Sequence, residues 1–218
     1  MKDSVIILSG GMDSVTLLYD QRERIALAVS FNYGSKHNNR EIPFARLHAR
    51  RLGIEHVVIP LDFMQTYFHG SLMISGGDVP EGHYADENMK STVVPFRNAI
   101  MLSIAIGIAE DRGLSRVMMA NHGGDHTIYP DCRPEFVKAM DEAAMTGTYN
   151  HVRLVCPYTG LSKADIASRG KSLGIDYSET WSCYKGGEEH CGRCGTCVER
   201  REALAAAGVE DSTVYVNK

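Results

Sequence analysis

Two hydrophobic rhythms alternate along the chain. Short, β-rich apolar runs at 5–8, 25–31, 56–59, 116–120 and 153–156 read as strands. Between them, apolar positions recur at helical spacing over 14–21, 41–52, 97–112, 134–145 and 162–173, with Gly53 and Gly174 just past two of the ends. Strand–helix alternation of this kind predicts an α/β fold, a Rossmann-like parallel sheet with helices on both faces. Ligands of such sheets bind beyond the carboxyl ends of the strands, so the loops at 9–14, 32–40 and 121–133 are the ones expected to carry chemistry. Residues 70–92, with SGGDVPEGH, read as a long irregular excursion. The rhythm stops near residue 180, which divides the chain into an expected nucleotide-binding and catalytic domain at 1–180 and a cysteine module at 181–218.

The first strand runs straight into a glycine turn, VIILSGGMDS at 5–14. A strand, bare glycines and a helix start form an anion site, because the first N–H groups of a helix have no intrahelical partner and carry a partial positive charge. The stretch lacks the G-x-x-x-x-G-K-[ST], G-x-G-x-x-G and G-x-S-x-G patterns. A plain tight turn with Ser9 or Asp13 as helix cap is the simpler alternative.

Composition narrows the setting. The 218 residues carry a formal charge of −4, which disfavours a broad nucleic-acid surface but allows a small basic pocket. The apolar run at 99–109 is too short to span a bilayer, and MKDSVIIL is too short in apolar residues for a signal peptide. A cytoplasmic protein is expected. Four of the six cysteines crowd into CYKGGEEHCGRCGTC, spaced C-x7-C-x2-C-x2-C at Cys183, Cys191, Cys194 and Cys197. Four thiolates so close suit a closed tetrahedral Zn2+ site of structural type. Iron–sulfur ligation and free thiols remain open at this point.

S-G-G-x-D-S at 9–14 resembles the pyrophosphate loop of the ATP pyrophosphatase (PP-loop) family, which has an adenine nucleotide alpha-hydrolase-like fold and cleaves ATP between its α and β phosphates. Further stretches resemble the 7-cyano-7-deazaguanine synthases within it: FNYGSKHNNREIPFARLHARRLG at 31–53, VPFRN at 94–98, YPDCRPEF at 129–136, LSKADI at 161–166, and TWSCY followed by the cysteines. Two places depart from that pattern. Phe96 stands where a glycine often precedes Arg-Asn, and DHTIYPD at 125–131 has His126 and Ile128 in place of an aromatic and a glycine.

The resemblance implies ATP, with Mg2+, as co-substrate in converting 7-carboxy-7-deazaguanine and ammonia to 7-cyano-7-deazaguanine for queuosine biosynthesis, through an adenylated carboxylate and then an adenylated amide. It implies nucleotide binding along Leu8, Ser9, Gly10, Gly11, Met12, Asp13, Ser14, Val15, Thr16, Leu17 and Leu18. Val15, Leu17 and Leu18 are expected to face the core. It makes Asp13, with metal between it and phosphate, and Lys36, Arg97 and Lys163, as phosphate or carboxylate contacts, the catalytic candidates. Tyr33, Asn98, Asp125, Tyr129 and Asp131 are the candidates for the deazaguanine, by stacking or by accepting from its N–H groups. The bland alternatives are a turn at 32–34, a helix opening at Arg97-Asn98, Asp131 as a helix cap, and Lys163 as the residue after an N-cap at Ser162. No residue is assigned as general base. His37, His122 and His126 lie in strand-end loops and are read first as structural or substrate-contacting groups. The resemblance further implies a homodimer with small-molecule partners and neither nucleic acid nor membrane. A tRNA thiolase, an amide-forming ligase, or a zinc-ribbon binding module on an inactive nucleotide fold are the competing readings.

Overall fold

The computed structural model describes residues 2–216. Five strands form one sheet in the order β3-β2-β1-β4-β5: β1 Ser4–Ile7, β2 Ile25–Asn32, β3 Glu55–Pro60, β4 Arg116–Met118 and β5 Arg153–Val155. Every pairing is parallel. β1 and β2 are almost wholly buried, as expected of strands covered on both faces. The helices are α1 Met12–Asp20, α2 Asn38–Arg51, α3 Phe63–Tyr67, α4 Arg97–Asp111, α5 Pro134–Gly147, α6 Lys163–Ser172 and α7 Gly195–Ala206. Two apolar clusters flank the sheet, one built on α4 and the inner residues of β2, the other on α1, α2 and α6. None of these helices is long and apolar enough to cross a membrane.

The strand order reverses direction at β1, with β2 on one side and β4 on the other. The loops leaving β1 and β4 therefore part above the sheet and open a crevice there.

The turn after β1 explains its glycines differently from the sequence reading. Gly10 sits at φ +99°, and a Cβ there would lie 2.1 Å from the Glu41 carbonyl oxygen and 2.9 Å from the Ala45 nitrogen. Gly10 is bare because α2 packs on it. Gly11, in extended conformation, is the N-cap of α1. The helix thus begins two residues before the expected Ser14, and neither Ser9 nor Asp13 caps it. The start of α2 moves too, to Asn38 from the expected 41. The Asn38 side chain accepts from the backbone of Tyr33 and Ser35 at 3.1 and 3.2 Å, which nucleates the turn ahead of Pro43.

The C-terminal cysteine module is welded to this body. The Trp181 N–H donates to the Gly10 carbonyl at 3.0 Å, and α7 packs on α6, which packs on α1. Arg200 of α7 is fully buried; it donates to Thr180 Oγ1, Ser182 Oγ, Thr213 Oγ1 and the Tyr177 carbonyl.

Replacing Gly10 by alanine forces a Cβ into the α2 backbone and a side chain into the left-handed region. We expect Gly10→Ala to destabilise folding by about 3 kcal/mol or more, read by urea unfolding. A change under about 1 kcal/mol contradicts the close approach.

Candidate active site

The crevice beyond β1 and β4 is lined from one side by Leu8, Ser9, Gly11, Met12, Asp13 and Ser14. Around this loop the hydrogen bonds turn inward. Ser14 Oγ accepts from the Ser9 and Gly10 N–H groups at 3.2 and 3.3 Å and donates to the Gly11 carbonyl at 3.1 Å. Ser9 Oγ accepts from the Gly11 N–H at 3.1 Å. The chain is thereby held in a tight ring, while α1 has no side-chain cap and its first paired N–H is that of Val15. Among the described residues the N–H groups of Met12, Asp13 and Ser14 have no hydrogen-bond partner, and these residues line the crevice, which is the donor set an anion requires. Val15, Leu17 and Leu18 are fully buried in the core. Thr16 is buried as well and pairs with the Tyr177 hydroxyl at 2.9 Å, so it fastens α1 rather than touching the crevice.

Across from the loop sits a charge cluster. Lys163, the first residue of α6, donates to Asp13 Oδ2 at 3.0 Å and lies 3.0 Å from Glu199 Oε2 of α7. Ser162 does act as the N-cap of α6, in a capping box with Asp165, so cap and lysine roles coexist. Burial alone favours neutral amine, but Asp13, Glu199 and Asp125 outweigh it and hold Lys163 protonated far above the usual lysine range. Burial pushes Asp13 upward; the Lys163 ammonium and His122 more than offset it, and Asp13 stays below the usual carboxylate range. Burial prevails at Glu199, which is raised. Asp13 Oδ1 is buried with no hydrogen-bond partner.

The other end of the crevice is aromatic. Tyr84, Tyr129, Tyr184 and Tyr33 line it, joined by hydroxyl contacts such as Tyr129 to Thr92 at 2.8 Å and Tyr129 to Tyr184 at 3.3 Å. Arg97, first residue of α4, donates to the Tyr33 hydroxyl at 3.0 Å, with its guanidinium 5.5 Å from the Tyr33 ring centroid. Asn98 lines the crevice while its amide donates to the Asp131 carbonyl at 3.2 Å. Asp125 lines it as well, with its carboxylate accepting from the His122 N–H and the Tyr84 hydroxyl, both at 3.0 Å.

Two expectations need correction. Lys36 does not line the crevice; its ammonium is bound by the carbonyls of Ser71, Gly76 and Gly77 at 2.8, 3.3 and 2.5 Å and pins the 70–77 loop. Asp131 does not line it either, because its carboxylate accepts the Asn98 N–H at 2.8 Å and so caps α4. His126 and Ile128 also lie outside the lining, Ile128 packed with Met89 and Cys132. Phe96 is the N-cap of α4 at φ +59°, the backbone region in which glycine costs nothing, and rests on Phe136 at 6.2 Å between ring centroids.

Sequence reasoning missed Glu41, Tyr84, Tyr184 and Glu199, and named His37 only as a structural or substrate-contacting group. His37 and Glu41 stand inside a quoted stretch, four residues apart at the head of a helix, a spacing that puts both on one face. Tyr84 comes from the irregular excursion, and nothing in the local pattern marks it. The four cysteine sulfurs all lie within 4.8 Å of one another, and the backbone N–H groups of Cys191, Arg193 and Cys194 point at sulfur from 3.2 to 3.4 Å. Among the described residues no other group of three or more such ligands comes this close.

The pair His37 and Glu41 gives the site a pH signature. Burial, opposed by Arg97, raises Glu41 from 4.5 to about 8. Burial, with Arg97, lowers His37 from 6.5 to about 3. Between 4.5 and about 8 the unfolded chain releases a proton that the folded Glu41 keeps, so this group takes stability away as pH rises through that window. His37 acts in the opposite sense, withdrawing stability as pH falls from 6.5 towards about 3. In Glu41→Gln the first contribution is gone. Its melting temperature relative to the parent is expected to rise between about pH 5 and about pH 8. A difference constant across that range contradicts the raised carboxyl.

Comparison with known proteins fixes the family. A family profile described as "Queuosine biosynthesis protein QueC" matches residues 3–208. A protein of Porphyromonas gingivalis named 7-cyano-7-deazaguanine synthase is 66% identical over 98% of this chain and 97% of its own length. One of that name from Desulfotalea psychrophila is 49% identical over 99% and 100%. Among solved structures, an NMN synthetase from Francisella tularensis superposes with a TM-score of 0.52 at 14% identity, over 97% of this chain and 79% of that one. The U34-tRNA thiolase NcsA of Methanococcus maripaludis, solved with its [4Fe-4S] cluster, gives 0.50 at 14%, over 95% and 72%. At that identity the two share the fold, and the sequence matches supply the rest: the chain belongs to the QueC family of queuosine biosynthesis proteins.

Proposed function

We propose that this enzyme converts 7-carboxy-7-deazaguanine and ammonia into 7-cyano-7-deazaguanine at the expense of ATP. The observation that carries the reading is the crevice itself. One end offers the unpaired N–H groups of Met12, Asp13 and Ser14, the other a nest of tyrosines, and Lys163 and Arg97 stand on its walls. A triphosphate anion suits the first end and a flat, N–H-rich base the second.

The chemistry follows from leaving groups. Ammonia cannot displace oxide from a carboxylate. Attack of a carboxylate oxygen on the α phosphorus of ATP expels pyrophosphate and gives a mixed carboxylic–phosphoric anhydride, from which AMP leaves readily. The helix N–H groups and the Lys163 ammonium stabilise the negative charge that collects on departing pyrophosphate, and being fixed beforehand they need no reorganisation. Ammonia then yields the amide, and a second adenylation, on the amide oxygen, lets AMP and a proton leave to form the nitrile. Asp13, with its unpartnered Oδ1, fits a Mg2+ ion accompanying ATP, which would neutralise phosphate charge. Arg97, kept charged by Tyr33, Tyr184 and Asp131 against the opposing effect of burial, suits the substrate carboxylate. Tyr33, Tyr129, Asn98 and Asp125 line that end of the crevice, and in this reading the two tyrosines stack on the base with Asn98 and Asp125 beside it.

For the cysteines we propose structural zinc. Zn–S bonds of about 2.3 Å in a tetrahedron separate the sulfurs by about 3.8 Å. The spacings Cys191–Cys197 of 3.9 Å and Cys194–Cys197 of 3.5 Å fit that, whereas a four-iron cube holds its cysteines farther apart. A zinc of this kind has no open position; it supplies cohesion to a module of little core. We further propose 1–180 and 181–218 as catalytic domain and zinc module, a homodimeric cytoplasmic assembly, and partners that are small molecules.

Two measurements test this. Purified protein incubated with Mg-ATP, 7-carboxy-7-deazaguanine and 15N-ammonium is expected to give labelled nitrile and AMP by mass spectrometry. AMP absent with this substrate overturns the reaction. Metal analysis is expected to find one zinc per chain in colourless protein. Cys197→Ser is expected to lower the melting temperature by several degrees, in line with loss of about 2 kcal/mol or more. Brown protein containing iron and sulfide contradicts the zinc assignment and favours sulfur-transfer chemistry.

A further inference from the structure

One pair of groups in the crevice, buried His37 and partly exposed Glu41, has no part in the scheme above. Glu41 lines the wall between the phosphate loop and the tyrosines; its Oε1 lies 3.8 Å from where a Cβ on Gly11 would stand. Among the described residues its carboxylate accepts no hydrogen bond. His37 Nε2 lies 3.7 Å from Oε2, beyond bonding distance. His37 also lines the crevice, is 3% exposed, and has a buried Nδ1 without a partner. The Glu41 side chain keeps 14% of its surface exposed, so its unbonded carboxylate is open to a small donor that enters the crevice. Aromatic groups close the remaining sides: Tyr184, with its ring 5.2 Å from that of His37, Tyr33, with its hydroxyl 3.4 Å from His37 Nε2, and Trp181.

We propose that Glu41, backed by His37, is the seat of the nitrogen substrate and takes a proton from a bound ammonium ion, freeing ammonia beside the adenylated carboxylate. Ammonium is a compact cation with four N–H donors and no acceptor, which matches unpaired acceptors among aromatic rings. The location matches as well, since the acyl carbon must lie where the phosphate and base ends meet. Of the charged and titratable groups facing Glu41, α4 contributes Arg97, its own helix His37, the loop after β2 Tyr33, and the segment after Trp181 Tyr184; the phosphate loop presents Gly11 and Ser9, without charge. Arg97 is engaged with Tyr33 and makes no bond to Glu41. Burial also brings the basicity of Glu41 up to about 8, much nearer that of ammonia than an ordinary carboxylate, so the proton is exchanged at little cost.

The step balances. Ammonium passes one proton to the Glu41 carboxylate and becomes ammonia. Its lone pair forms the C–N bond, the bond from carbon to the AMP oxygen breaks with its electrons going to that oxygen, and the extra proton on nitrogen leaves with AMP. Glu41 returns its proton to solvent before the next ammonium binds.

This proposal rests on the reaction proposed above, and the experiment separates the two. With Mg-ATP and 7-carboxy-7-deazaguanine, three rates are measured: exchange of labelled pyrophosphate into ATP without a nitrogen source, amide formation with ammonium, and hydroxamate formation with hydroxylamine, which is largely uncharged at neutral pH. In Glu41→Gln, exchange and hydroxamate formation are expected to stay within about threefold of the parent. The ammonium rate is expected to fall about 100-fold, and Glu41→Asp to recover part of it. Thermal melts verify that both variants fold. Exchange falling together with amide formation overturns the proposal, because Glu41 then serves the phosphates as a neutral acid. Equal losses for ammonium and hydroxylamine, or no loss for either, overturn it too. Parent protein without carboxylate-dependent exchange removes the reaction and this proposal together.

Discussion

The Lys163 ammonium, held between Asp13 and Glu199 at 3.0 Å from each, is the interaction on which the site depends. Three helices meet at it: α1 behind the phosphate loop, α6, and α7, whose N-cap is Cys194 and whose first turn carries Cys197. A buried cation between two carboxylates is costly to disassemble, since removing one partner leaves uncompensated charge worth about 3–5 kcal/mol. The cluster therefore fixes where the cysteine module sits relative to the loop. In the proposed reaction, phosphate brought in with a metal would offer Lys163 a new partner and Asp13 a new counter-ion.

Seen this way, the cysteine module is part of the site's wall. Trp181, Ser182 and Tyr184 line the crevice from the segment that leads to the first sulfur and runs past it, and Trp181 bonds the Gly10 carbonyl. Arg200 staples α7 to the same segment from behind. Metal in the sulfur cage would act on the reaction through these contacts and not through an open coordination position. The crevice carries Arg97 and Lys163 together with Asp13, Glu41 and Asp125, so its pull on an anion would rest on the helix N–H groups and on where the two cations stand, not on an excess of positive charge.

Much of this was legible in the sequence. The five strands and five main helices fall within a few residues of their expected places, because buried parallel strands and amphipathic helices write strong local patterns. S-G-G-x-D-S and the four cysteines were legible for a similar reason, since each is a contiguous device. What failed was the assignment of residues whose role depends on chain partners far away. Lys36 has the charge for phosphate, yet the carbonyls of the 70–77 loop reach it first. Asp131 has the chemistry to accept from a base, yet the bare first turn of α4 takes it. Glu199 belongs to no motif, and only the packing of α7 on α6 brings it to Lys163. Gly10 was read as room for phosphate, and it is room for α2.

The most direct test of the account is a crystal structure of the protein with Mg2+ and an ATP analogue that cannot be cleaved between its α and β phosphates. The expected result places the β and γ phosphates on the N–H groups of Met12, Asp13 and Ser14, with Lys163 in contact with a phosphate oxygen and Mg2+ on Asp13. Phosphates bound elsewhere, with the Lys163–Asp13 pair closed and the helix N–H groups facing water, would contradict it.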